Sequence, residues 1–192
     1  MNLFYEEYPC SVTVHGRNIP IITDFREYIK LLDMLKDTEI PDLCKMQFLT
    51  EYFLAEVSDW KEAFDQLSIF VSMETLDKAG TISGKETEGE EDLRAEKPLF
   101  SFSVDYPYIL SGFLRDYGID LETVDYLHWW KFRALFDGLS EDTEIKQRIM
   151  YRSMDLSAIK DKEERKRIQK IQRAIQLPAE ALSDYDIGNA FA

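Results

Sequence analysis

Apolar and polar residues follow two different rhythms along this chain, and the change of rhythm marks out its elements. At the start the period is two. Ser11-Val12-Thr13-Val14 is β-branched, His15-Gly16 is a turn pair, and Arg17 to Ile22 resumes an apolar strand whose Pro20 suits an edge or bulge. These features predict a β-hairpin within 1–23. The period then lengthens towards 3.6. Phe25, Tyr28, Ile29, Leu32 and Leu35 recur on one face behind the capping pair Thr23-Asp24. Pro41-Asp42 opens a second helix carrying Leu43, Met46, Leu49, Phe53 and Val57. Ser58 or Asp59 caps a third, with Trp60, Ala63, Phe64, Leu67, Phe70 and Val71.

The rhythm is lost over 77–97, where glycine stands at 80, 84 and 89 and six acids lie from Glu86 to Glu96. No apolar face survives there, which predicts a flexible acidic insert. Helical spacing returns near 104 with Tyr106, Ile109, Leu110, Phe113 and Tyr117, and ends at Gly118. A further helix is expected from Asp120 to about Asp137, stopping at Gly138, and another from Ser140-Glu141-Asp142 holding Ile145, Ile149 and Met150. The last helix, over 155–177 with an interruption near Ser157, carries the thin stripe Ile168, Ile171 and Ile175. Pro178 ends it, and 178–192 reads as a loose tail. The expected fold is mainly α: a multi-helix bundle with a small N-terminal β-hairpin, in which segments 24–76 and 98–177 form one globular domain.

Composition adds limits. The chain has 192 residues, 45% hydrophobic and 13% aromatic, enough to bury a core without disulfides or metals. Cys10 and Cys44 lack the CxxC spacing and are expected to behave as small apolar residues, although the sequence leaves a disulfide between them open. No run approaches ~20 consecutive apolar residues, so no membrane span is expected. The start, MNLFYEEYP, has early acids and no apolar run, unlike a secretion signal. The net charge of −14 opposes broad contact with nucleic acid or an anionic membrane, because such contacts need a basic face.

Candidate chemistry is sparse. His15 and His128 sit far apart in unlike contexts, and no convergent set of metal ligands or catalytic groups accompanies them. His15 reads as a turn residue, and His128 as a helix residue whose ring finds one hydrogen bond in an aromatic layer. Gly84-Lys85-Glu86-Thr87 has the wrong spacing for a phosphate loop and follows no strand. No enzyme activity, cofactor or metal is therefore expected. Two features point to surfaces instead. Trp129 and Trp130 are consecutive, and consecutive helical residues point ~100° apart. Either their helix is buried on two sides, or one ring joins an interface. The run 160–173, with seven Lys or Arg and three acids, presents Lys166, Lys170 and Arg173 among others. It reads as a solvated face, a contact for a protein (including the acidic insert of a neighbouring subunit), or a contact for nucleic acid.

The segment Asp105…Tyr108-Ile109…Phe113…Tyr117-Gly118-Ile119-Asp120-Leu121…Leu127-His128-Trp129-Trp130-Lys131-Phe132…Ala134-Leu135…Gly138-Leu139 resembles the signature of a phage protein family catalogued by gene-product number fifteen of a Listeria phage. The hairpin leading into Thr23-Asp24-Phe25-Arg26, and Arg152 followed by Asp155, fit the same pattern. The resemblance implies a tail assembly chaperone that keeps the tape-measure protein soluble while tail tube subunits polymerise. It implies the host bacterial cytoplasm as the place of action and absence from the mature virion. A companion tail assembly chaperone and the tail tube protein are the further partners implied; a second copy is the partner that the adjacent Trp129 and Trp130 suggest. The family has no catalytic set to transfer. Interaction candidates are His128, Trp129, Trp130, Lys166, Lys170 and Arg173. The alternatives are a structural tail component, or a nucleic-acid-associated phage protein using 160–173.

Overall fold

In the computed structural model, which describes residues 5–73 and 99–178, the chain first reverses at His15-Gly16. Both residues have positive φ, 48° and 75°, as a two-residue hairpin turn requires. The turn joins β1 (Ser11–Val14) to β2 (Arg17–Pro20) in antiparallel register, with Val12 opposite Ile19 and Val14 opposite Arg17. Among the described residues the chain is mainly α, with seven helices after this hairpin. They are α1 (Phe25–Lys36), α2 (Asp42–Thr50), α3 (Trp60–Ser72), α4 (Tyr106–Tyr117), α5 (Trp129–Asp137), α6 (Glu144–Ser153) and α7 (Lys162–Ala174). Three of them start on an Asp whose carboxylate accepts first-turn N–H groups: Asp24 for α1, Asp59 for α3 and Asp161 for α7. The acidic segment expected over 77–97 lies outside the described residues, as does the tail expected over 178–192 apart from Pro178.

Contacts divide the chain into two compact units. The first holds the hairpin, α1 to α3 and Leu127–Lys131. Val12, Val14 and Ile19 turn inward, and β1 packs on α3. At the centre stands Tyr28, fully buried, with the rings of Tyr52, Phe70 and Trp129 at 5.4–5.6 Å. Its hydroxyl donates to the Ile22 carbonyl, and the Tyr52 hydroxyl donates to the Glu27 carbonyl at 2.7 Å. Burial pushes the Tyr52 phenol well above its ordinary range, with Glu27 and Glu51 adding to the rise, so it stays a neutral donor.

The second unit holds residues 99–126 and 132–178 among those described. Its core is phenylalanine. Phe132 stacks on Phe113 at 5.3 Å, and Phe100, Phe102 and Phe136 lie 4.9–5.3 Å from one another. Beside these rings lies an ion pair removed from water. Arg152 Nη1 and Nη2 bond Asp105 Oδ2 and Oδ1 at 2.6 and 2.9 Å, and the side chains are 7% and 1% exposed. Arg152 also donates to the carbonyls of Leu99 and Ile175 at 3.0 and 2.8 Å, so the fork ties three chain segments together.

Several helix bounds differ from expectation, each for a tertiary reason. α2 stops at Thr50 instead of running on through Phe53 and Val57, because the next residues pair with the end of the hairpin. Ile22 N–H donates to the Tyr52 carbonyl at 3.0 Å, and Leu54 N–H to the Pro20 carbonyl at 2.8 Å. The stretch 120–128 is not helical. Asp120 caps only one turn, and the chain then extends so that Phe25 N–H reaches the Leu127 carbonyl and Trp129 N–H the Thr23 carbonyl, at 3.0 and 2.8 Å. α5 therefore begins at Trp129. α6 begins at Glu144, after a turn in which the Thr143 hydroxyl and N–H both donate to the Ser140 carbonyl. The last helix is shorter than 155–177. Asp155 accepts from both the N–H and the hydroxyl of Ser157, which holds a turn at the expected break, and α7 starts after Asp161. Cys10 and Cys44 are both free and exposed, not buried apolar residues.

Candidate functional site

His128 does not lie within a helix; it stands immediately before one. Its backbone forms a bridge with Asp24. Its Nδ1 accepts the Trp130 N–H at 3.0 Å, as a capping side chain does. Nε2 lies 3.0 Å from the Pro9 carbonyl, which only accepts, so the proton sits on Nε2. The ring stacks on Tyr8 at 4.8 Å. Burial lowers the imidazole's pKa, and the Pro9 carbonyl only partly opposes that, so the ring is held neutral.

Trp129 and Trp130 are 0% and 2% exposed. Their indole N–H groups donate to the carbonyls of Val71 and Phe70 at 3.0 and 2.8 Å, in the last turn of α3, where the Phe70 carbonyl also accepts the Met73 N–H at 3.3 Å. The helix is thus buried on two sides at this point. Neither ring is open at the surface, and the Leu127-His128-Trp129-Trp130 run acts as a hydrogen-bonded plug in the first unit.

Lys166, Lys170 and Arg173 are exposed on α7 at positions i, i+4 and i+7, so they share one stripe. Lys166 pairs with Glu163 at 2.8 Å, and Arg167 lies 3.8 Å from Glu164. The opposite side of α7 buries Ile168. Gln172 holds the helix to the end of α6 through the carbonyls of Tyr151 and Met154.

A cluster that the sequence did not reveal joins His15 to Asp59 and Glu62. Nε2 lies 3.2 Å from Asp59 Oδ2, and Nδ1 lies 2.9 Å from Glu62 Oε2. Among the described residues this is the one group of three side chains close enough to hold a metal ion. Its geometry suits a different task. The two ring nitrogens address different carboxylates, and one ion cannot take both. Asp59 is already the cap of α3, and Glu62 also accepts the His15 backbone N–H at 3.1 Å. The Glu62 N–H holds the Asp59 carboxyl below its usual range, with the Lys61 N–H and His15 adding to the effect. The cluster clamps the hairpin turn to the start of α3.

The element that leaves most of its apolar side chains open is α2. It was expected to bury a stripe of Leu43, Met46 and Leu49, but only Leu49 is buried. Leu43 is 79% exposed, Met46 53% and Phe48 48%. The apolar residues at 43, 46, 48 and 49 are spread round the axis instead of falling on one face, and that spread is the signal the sequence carried. Leu43 and Met46 (i, i+3) make an outer stripe; Cys44 and Phe48 (i, i+4) make another. Phe48 forms one wall of a groove of about 210 Å³ against α1, floored by Ile22, Leu31, Met34 and Tyr52. Glu27, Lys30 and Glu51 line the same groove. It is smaller than an ordinary small-molecule pocket of roughly 300–1,000 Å³. It has room for one or two side chains of a partner.

A family model described as "Bacteriophage Gp15 protein" matches residues 4–177. No curated protein and no solved structure matches the chain significantly.

Proposed function

Since the chain belongs to the bacteriophage Gp15 protein family, we propose that it is a phage tail assembly chaperone, binding the tape-measure protein in soluble form until tail tube subunits replace it. The observation that carries this reading is α2, whose apolar residues stand open beside a side-chain-sized groove. Monomeric proteins seldom leave such side chains together in water without a partner. A long helical client offers apolar rows, and a helix laid on an apolar groove is a common mode of recognition. Many weak contacts along a long client would give strong retention while each stays exchangeable, so that polymerising tube protein can displace them. The net charge of −14 keeps such a carrier soluble.

On this reading the protein acts in the host bacterial cytoplasm, leaves before the virion is complete, and works beside the tube protein and a companion chaperone. Co-expression with the tape-measure protein of the same phage tests it. The client should remain soluble and co-purify. A client that aggregates regardless removes the main support, and finding the protein in purified virions favours a structural tail component instead. One observation favours a second reading. The exposed stripe Lys166, Lys170 and Arg173 suits phosphate, and binding to DNA or RNA that weakens steeply with salt would support a nucleic-acid role.

A further inference from the structure

We propose that the α2 surface and its groove take an amphipathic helix whose apolar stripe is flanked by Lys and Arg. This rests on the chaperone reading for the identity of the client, but the chemistry of the occupant comes from the surface itself. The centre is apolar: Leu43 and Met46 on the outer stripe, Phe48 and Met34 at the groove. The surroundings are acidic. Between Asp24 and Val57 stand eight Asp or Glu against four Lys or Arg. Lys30 pairs with Glu27 at 2.7 Å and Arg26 lies 3.3 Å from Asp24, so these charges cancel; that leaves six acids against Lys36 and Lys45, and Lys45 is turned to the Leu35 carbonyl at 2.8 Å. Glu51, at the groove and exposed, is placed to meet a cation from outside.

The same charges argue against a second copy as the occupant. Two such faces brought together would set like charges opposite one another, between chains of −14 each. An acidic or neutral helix would satisfy the apolar centre but gain nothing at the rim. A helix with cationic flanks satisfies both, and the field of the acidic chain speeds its approach.

Cys44 supplies a local reporter, since it is exposed on α2 beside Phe48. The experiment uses the full chain as C10S, labelled at Cys44 with an environment-sensitive fluorophore. It is titrated with two synthetic helices that share one leucine stripe, one flanked by lysines and the other by glutamates. The lysine helix should shift the emission and saturate, at least tenfold tighter than the glutamate helix at low salt. E27Q/E51Q should remove most of that preference. L43S/M46S should weaken the lysine helix at least tenfold with the melting temperature unchanged, because those side chains touch solvent. Equal binding of both helices, or a lysine helix that binds L43S/M46S as well as the parent, would overturn the proposal. So would concentration-dependent dimerisation of the unlabelled protein that L43S/M46S abolishes. Co-expression separates this failure from that of the chaperone reading. A client kept soluble equally by parent and L43S/M46S protein sinks the docking surface and leaves the chaperone standing. A client that the parent fails to keep soluble sinks the chaperone, while the peptide titration still decides the surface.

Discussion

Replacing Arg152 with methionine should be among the most damaging single changes in the second unit. The substitution keeps an unbranched side chain but removes five donors. Asp105, 1% exposed, would lose both arms of the fork at 2.6 and 2.9 Å and keep the Ser101 N–H at 3.1 Å. Breaking a buried pair from one side costs roughly 3–5 kcal/mol, because a charge is left in a poor solvent. The carbonyls of Leu99 and Ile175 would lose their donors as well, each worth about 1 kcal/mol. The expected loss therefore lies at the upper end, about 5 kcal/mol. In a protein of this size each kcal/mol moves the midpoint by roughly 2–4 °C, so the fall should be on the order of 10–20 °C. Urea and thermal denaturation followed by far-UV circular dichroism measure it. D105N/R152M should recover part of the loss, since no charge is then stranded. A fall below about 1 kcal/mol for R152M would refute the reasoning and mean that water reaches Asp105.

Other outcomes follow from the same geometry. W130A should cost roughly 3–5 kcal/mol in chemical denaturation, since the ring is 2% exposed; a near-neutral result would place it at the surface. W129F should cost about 1–2 kcal/mol, mostly by leaving the Val71 carbonyl without its donor. His128 has its pKa lowered by burial. Its contribution is therefore complete above its unfolded pKa of about 6.5 and lost as pH falls from there towards the lower folded value. H128Q should flatten the loss of stability seen as pH drops below about 6.5; an unchanged slope would assign that loss to other groups. Gly118 closes α4 at φ 64°, so G118A should cost about 1 kcal/mol or slightly more, and a stabilised variant would contradict the left-handed cap.

What the sequence made legible was local. The hairpin turn at His15-Gly16 and the caps Asp24 and Asp59 needed only neighbouring residues to be read. What it hid depends on partners far along the chain. Tyr52-Phe53 keep helical spacing behind Leu49, yet the Tyr52 carbonyl is taken by the Ile22 N–H and the Leu54 N–H by the Pro20 carbonyl, some thirty residues earlier. Leu127 and His128 extend, and α5 waits until Trp129, because Thr23 and Phe25, about a hundred residues upstream, offer backbone partners. The His15 clamp joins residues 44 and 47 positions apart, and no spacing rule anticipates it. The tryptophans invited an interface by standing side by side on a helix, but α3 supplies both with carbonyls and both are buried. The surface that does stand open, α2, carried a weaker mark. Its apolar residues fit helical spacing well enough to suggest core, while their spread round the axis meant that no single neighbour could cover them.

The most direct test is site-specific crosslinking of the purified protein to the client. C10S carrying benzophenone at Cys44, and C44S carrying it at Cys10, place the same reactive group at two exposed positions of one unit. Each is mixed with the tape-measure protein and irradiated. The account expects a crosslink to the client from Cys44, beside Phe48 on α2, and little from Cys10. Equal crosslinking from both positions, or none from Cys44 while the client remains soluble and bound, would contradict it.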